Sequence, residues 1–274
     1  MKIQTCICTD TGIRKKVNQD AVMVKVADTD LYGRIAMGVL CDGMGGLSCG
    51  EVASAAFVHR MENWFHEELA EALSGEQVTE QLSAIQQNRQ SFWKIIENQW
   101  SMITSEMNDR IAAYGNERGI RLGTTVLCLL LIGEEYLVMN IGDSRLYVTD
   151  ETMTRQLTHD QSYVQQQIDL GLMTPQEALE SDQKSVLLQC IGASEDVRPD
   201  FYSGSADQDT VFALCCDGFW RKQDPEEMHA MMTPYACSRE ENMKKNMMKL
   251  TDRLKKRGET DNISVLLISC RNEK

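Results

Sequence analysis

The sequence predicts an α+β fold, a central antiparallel β-sandwich with helices packed outside it. Three observations carry that prediction. Short apolar runs rich in β-branched residues recur along the chain, and long helical patterns interrupt them. No internal repeat, low-complexity tract or Pro/Ser-rich linker divides the 274 residues. A single domain spanning residues 1–274 is therefore expected, with a flap-like polar insert at about 158–190.

The expected strands are 21–27, 35–41, 124–132, 136–141, 146–148, 210–216 and 263–270, each bounded by turn signals. Gly133-Glu134-Glu135 joins two of them as a hairpin, and Gly142-Asp143-Ser144 turns into the next. Within 51–73, Ala53, Phe57, Met61, Trp64, Phe65 and Leu69 recur at helical spacing. Within 79–114, Leu82, Ile85, Phe92, Ile96, Ile103, Met107 and Ile111 do the same, and both stripes read as core. Thr174 and Pro175 predict the cap and first residue of a shorter helix. Ser238 followed by Glu241 predicts a capping box, ahead of a buried stripe at Met243, Met247, Leu250 and Leu254.

Composition excludes several classes of function. The net charge is −13, and the one dense basic cluster, Lys255-Lys256-Arg257, precedes Gly258 as a helix end does. No basic face for nucleic acid is expected. No stretch approaches the roughly 20 apolar residues of a membrane span. Residues 1–8 alternate apolar and polar, unlike the continuous apolar core of a signal peptide. The ten cysteines lie mostly in apolar runs without zinc-ligand spacing, so a reducing cytoplasm is the expected location.

The informative pattern is where aspartates fall relative to strands. Asp42 and Asp217 each end an apolar run and precede Gly, and Asp143 follows a third run. Asp20 and Asp261 each stand just before one. In an antiparallel sheet the end of one strand lies beside the start of its neighbour, so all five can share one rim. Singly, Asp-Gly and Gly-Asp are ordinary turn dipeptides. Together, five carboxylates would raise one another's pKa unless a cation neutralised them. An all-oxygen set suits Mg²⁺ or Mn²⁺ better than zinc.

In order along the chain stand Arg14-Lys15-Lys16-Val17-Asn18-Gln19-Asp20, Asp42-Gly43-Met44-Gly45-Gly46, Gly123-Thr124-Thr125, Asn140-Ile141-Gly142-Asp143-Ser144-Arg145, Leu157-Thr158-His159-Asp160, Cys216-Asp217-Gly218 and Asp261-Asn262. This ordered set resembles the metal-dependent serine/threonine protein phosphatases of type 2C, in their bacterial stand-alone form, over about residues 5–270. The resemblance implies a four-layer αββα sandwich flanked by helix pairs, with a two-metal site at one rim. By position it implies that Asp42 bridges both metals, that Gly43 lends a backbone carbonyl, and that Asp217 and Asp261 hold the second metal. Asp20 would hold waters of the metals, and Asp143 corresponds to a weaker third-metal ligand. The expected cofactors are two Mn²⁺ or Mg²⁺ ions, with a third weaker one. The expected partners are phosphorylated proteins and a cognate Ser/Thr kinase pathway, and the expected state is a monomer.

The chemistry explains why cations are needed. Phosphate-monoester hydrolysis is accelerated by up to about 10²¹, on the order of 28 kcal/mol. One general base supplies only about 10²–10⁴. Two cations can acidify a shared water and neutralise the phosphoryl oxygens together.

Two positions depart from the family pattern. Gln19 stands where many members have Glu, which removes a formal charge near one metal and lowers its affinity. The phosphate-clamping arginine falls, without a gap, on Lys15, with Arg14 one residue earlier. Adjacent residues in an extended segment point to opposite faces, so one of the two reaches the site. The forked guanidinium of Arg14 is the expected choice.

The remaining polar candidates have plainer readings. His59, His66 and His229 are ordinary helix residues, His159 stabilises its loop, and Ser144 belongs to a turn. Two rival functions are a phosphatase dedicated to one regulator of a sigma-factor pathway and an inactive phosphatase-like binding module. The module is disfavoured because Asp20, Asp42, Asp217 and Asp261 are all present.

Overall fold

The computed structural model describes residues 1–29, 32–44, 49–74, 82–206 and 209–271, with side chains left aside at 74 and 82–89. Two five-stranded sheets face each other. One runs β1 (Lys2–Asp10), β10 (Ile263–Arg271), β9 (Thr210–Cys215), β6 (Arg145–Thr149), β7 (Thr154–Gln156). The other runs β2 (Ala21–Thr29), β3 (Gly33–Cys41), β4 (Val126–Ile132), β5 (Glu135–Ile141), β8 (Asp200–Ser205). All pairings are antiparallel.

The central strands are apolar on both faces because each sheet has a neighbour on either side. In β3, Ala36 and Leu40 join Leu214 and Leu266 between the sheets, whereas Ile35, Met37, Val39 and Cys41 pack outward. There they meet Phe57, Met61 and Trp64 of α1 (Gly50–His66) and Ile96, Trp100 and Ile103 of α3 (Leu82–Arg118). Trp64 and Trp100 meet edge to face at 5.3 Å and lock these helices together. The opposite outer layer is α7 (Pro225–Met232) and α8 (Glu240–Lys256), whose Met243, Met247, Leu250 and Leu254 are fully buried. The layers are thus helix, sheet, sheet, helix, as expected.

Several boundaries differ from the sequence reading. The helix over 51–73 is two, α1 and α2 (Glu68–Ser74), offset at Glu67, and the offset leaves both Phe65 and Leu69 buried. Leu82 and Ile85 belong to α3, but their side chains lie outside the described residues. The strand expected from Thr124 starts at Val126, because Thr124 bridges Gly43 and Ile191 instead. The capping box at Ser238 is absent. Arg239 is the N-cap, and Ser238 closes the preceding turn through its N–H to the Tyr235 carbonyl, 3.3 Å. The cap at Thr174 is present and reciprocal with Glu177, opening α5 (Pro175–Glu180), which follows α4 (Tyr163–Asp169). Strands β1, β7 and β8 were not expected; all three are edges, buried on few positions and so without an apolar run.

All ten cysteines are free. No described helix is long and apolar enough to cross a membrane.

Leu40→Ala should lower unfolding free energy by about 2–5 kcal/mol, because it opens a cavity between the sheets. Ser238→Ala should stay within about 0.5 kcal/mol of wild type, since its hydroxyl caps nothing. Urea titrations of the two variants check both.

Candidate metal centre

The topology gathers the five aspartates. Ala21 pairs with Cys41, so Asp20 at the start of β2 lies beside Asp42 at the end of β3. In the other sheet Cys215 pairs with Val265, and the Cys216 N–H donates to the Ser264 carbonyl at 3.1 Å. That register sets Asp217 beside Asp261-Asn262. Asp143 lies where the chain leaves β5 in one sheet for β6 in the other. Gly142 makes the crossing at φ 104°, a conformation that side chains disfavour. The rim is therefore a seam, with Asp20 and Asp42 from one sheet, Asp217 and Asp261 from the other, and Asp143 at the crossover.

The backbone around the seam is tightly fixed. A Cβ on Gly43 would stand 2.4 Å from the Gln19 carbonyl oxygen and 2.5 Å from that of Gly50, so only glycine fits. Thr125 Oγ1 accepts from the Asp42 N–H at 3.0 Å, and Thr124 Oγ1 donates to the Asp42 carbonyl at 2.9 Å. Asn262 ties down the loop before β2. Its Oδ1 accepts from the Gln19 N–H at 2.9 Å, and its Nδ2 donates to the carbonyls of Thr11 and Val17. Buried Glu259 accepts from the Thr260 and Asp261 N–H groups and shapes the turn that carries Asp261. Gly45 and Gly46 lie outside the described residues.

The electrostatics are those of a cation site. Burial pushes Asp42 well above the usual carboxylate range, and the charges of Asp20, Asp217, Asp143 and Asp261 add to it. Asp20 is raised to about 6, by burial first and then by the charges of Asp217 and Asp261. Asp143 is raised to about 8 by burial and by Asp217 and Asp160. Both oxygens of Asp20 are buried and make no hydrogen bond within 3.5 Å to any described residue. Single oxygens of Asp20 and Asp42 and the Cys216 sulfur lie within 4.8 Å of one another. Burial keeps the Cys216 thiol protonated, and it is occupied by the Asn262 carbonyl and the Ser264 N–H. The donors left over are hard oxygens, which fit Mg²⁺ or Mn²⁺.

Of the two candidate clamps, the rim has Lys15 and not Arg14. Lys15 Nζ lies 2.9 Å from Asp261 Oδ1. Burial works against its charge, but the bond to Asp261 and the fields of Asp261, Asp42 and Asp217 raise its pKa. Arg14 is exposed and makes no ion pair among the described residues. The segment is not extended as expected, since residues 12–14 form a turn and 16–17 a bend, and the side chain it brings to the rim is Lys15. Gln19 has company as well: its Nε2 donates to Glu51 Oε2 at 3.1 Å, bringing a carboxylate beside the position where one is missing.

One residue at the rim escaped the sequence reading. Arg221 Nη2 lies 2.7 Å from Asp217 Oδ2 and 3.7 Å from Asp143 Oδ2, with its side chain 12% exposed. The signal was there as an Asp/Arg pair four apart on one helical turn, α6 (Asp217–Trp220) and its cap. Arg145, in contrast, turns away to a bidentate pair with buried Asp160. The remaining candidates are structural. Ser144 is buried against Thr125 Oγ1, His159 Nε2 pairs with Asp169, His229 meets Thr154, His59 pairs loosely with Glu62, and His66 is exposed.

Comparison with known proteins bears on the family and the fold. The family model described as Protein phosphatase 2C matches residues 12–255. Protein phosphatase PhpP of Streptococcus pneumoniae is 28% identical over 276 residues, covering 99% of each chain. Serine/threonine phosphatase stp of Listeria innocua is 27% identical over 236 residues, covering 84% of this chain and 82% of its own. The catalytic domain of the serine/threonine protein phosphatase PstP, solved in complex with two manganese ions, superposes with a TM-score of 0.69 at 22% identity, over 98% of this chain and 99% of that one. The chain belongs to the protein phosphatase 2C family. It is a metal-dependent protein phosphatase.

The raised carboxylates have a consequence for stability. A carboxylate whose pKa is raised on folding stabilises below its unfolded value and loses that contribution as pH climbs through the folded value. In EDTA the melting temperature should therefore fall between pH 5 and 8, as Asp20 ionises near 6 and Asp143 near 8. Added Mn²⁺ should raise it more at pH 7.5 than at pH 5.5. Thermal melts across that range check the sign.

Proposed function

We propose that the protein hydrolyses phosphoserine and phosphothreonine in proteins at two divalent cations, Mn²⁺ or Mg²⁺, held by Asp20, Asp42, Gly43, Asp217 and Asp261. The observation that carries this is the pair of buried oxygens on Asp20 that make no hydrogen bond among the described residues, within a group of five mutually repelling carboxylates. Such an arrangement is costly for the protein alone and favourable around a cation. The chemistry that bound divalent cations supply at such a site is neutralisation of phosphoryl oxygens and acidification of the attacking water.

The chain's own residues do the rest. Asp42, drawn from one sheet and fixed by Thr124 and Thr125, would hold the cations together with Asp217 from the other sheet. The Asp20 oxygens, without a hydrogen bond among the described residues, would orient the attacking water. Lys15 reaches the outward phosphate oxygen as a point charge and releases Asp261 to its ligand role. Residues 158–190 form a flap beside the centre, with the Ser185 hydroxyl 3.5 Å from Arg221 Nη1.

The substrate is a phosphorylated protein, so a Ser/Thr kinase supplies it. The cation centre also offsets the repulsion between a chain of net charge −13 and a phosphorylated partner. Free, mostly buried thiols fit a reducing cytoplasm.

Hydrolysis of a phosphothreonine peptide should require Mn²⁺ or Mg²⁺ and stop with EDTA; turnover surviving exhaustive chelation would sink the proposal. Asp42→Asn and Asp217→Asn should each cost several decades of turnover with an unchanged circular-dichroism spectrum.

The clamp is tested separately. A charge-assisted hydrogen bond contributes about 1.5–3 kcal/mol, so Lys15→Ala should raise KM by roughly 10- to 100-fold. Arg14→Ala should leave KM and turnover near wild type. The opposite ranking would restore Arg14 as the clamp.

A further inference from the structure

We infer that Arg221 holds, as a fixed part of the chain, the place beside Asp143 that a third cation would otherwise take, so that the centre is complete with two ions. This rests on the reading of the rim as a two-metal centre. The guanidinium lies 2.7 Å from Asp217 and 3.7 Å from Asp143, and it is largely withdrawn from solvent. Its charge is permanent across the working pH range. It is held in place from two sides. Its backbone N–H closes the turn to the Asp217 carbonyl at 2.9 Å, and its Nη1 is 3.5 Å from Ser185 of the insert.

The neighbouring residue braces the same arrangement. Trp220 donates its indole N–H to the Asp143 carbonyl at 3.0 Å, which fixes the backbone that carries Asp143. Arg145 stacks 3.3 Å over the Trp220 ring and is itself anchored by Asp160 and the Tyr147 hydroxyl. Asp143 thus faces a protein cation, and an added ion on its carboxylate would meet a like charge at contact distance. A carboxylate so neutralised needs no further ion. Asp143 then acts as a positioning residue that aims Arg221, and Arg221 in turn holds one oxygen of Asp217, leaving the other for metal.

The test is Mn²⁺ stoichiometry of the full chain, by equilibrium dialysis with elemental analysis. Wild type should bind two Mn²⁺ per chain at saturation, and Asp143→Ala should still bind two. Arg221→Gln should gain a third, weaker ion, and that ion should vanish in the double variant Arg221→Gln/Asp143→Ala. Three ions in wild type falling to two in Asp143→Ala would overturn the inference, as would Arg221→Gln staying at two. If Arg221→Gln does not fold, the wild-type and Asp143→Ala counts decide alone. Wild type binding no Mn²⁺ and hydrolysing no phosphopeptide would instead overturn the two-metal reading on which the inference stands.

Discussion

Mutual repulsion among carboxylates at one rim is the constraint on which the rest of this structure depends. Five aspartates converge there, and burial and the fields of the others push Asp42 far above an ordinary carboxylate. Folding would not favour such a cluster for its own sake. The protein answers part of the charge itself, with Lys15 on Asp261 and Arg221 on Asp217 and Asp143. The remainder falls on Asp20 and Asp42, which make no ion pair among the described residues, and the proposed divalent metals answer it there.

The sandwich explains how so unfavourable a cluster is held. The sheets share a core in which Leu40, Leu214 and Leu266 are fully buried, and the outer helices cover both faces. Burial on this scale supplies the stability that the rim draws on. Around the rim itself, short polar links rather than apolar packing set the geometry: Thr124 and Thr125 on Asp42, Asn262 on the loop before β2, Glu259 on the turn before Asp261. Each satisfies a backbone group that would otherwise be lost at a strand end.

Much of this was legible in the sequence, for definite reasons. The central strands were readable because both faces are buried, which leaves long apolar runs such as 126–132. Their ends placed Asp42, Asp143 and Asp217, and antiparallel pairing brought in Asp20 and Asp261. Edge strands β1, β7 and β8 were not, because a strand buried on few positions leaves no such run. Ser238 misled because a local capping pattern competes with the turn before it, and the turn prevails. The choice between Arg14 and Lys15 turned on a turn at residues 12–14 and a bend at 16–17, in a loop that Asn262 anchors, where an extended segment was expected. Arg221 was overlooked although its spacing from Asp217 is that of a helical ion pair.

The seam has one more consequence, which concerns registry. Because Asp20 and Asp42 ride on one sheet and Asp217 and Asp261 on the other, the centre measures how the two sheets sit against each other. A strand advances by about 3.3 Å per residue, so a slip of a fraction of that step is enough to pull the ligand sets apart. Among the described residues the two sheets meet at their centre through apolar side chains, without strand pairing to index them. Damage to that apolar contact will thus reach the rim as misalignment while both sheets are still intact, and the loosening of the core will be felt at the metal before it is felt by the fold.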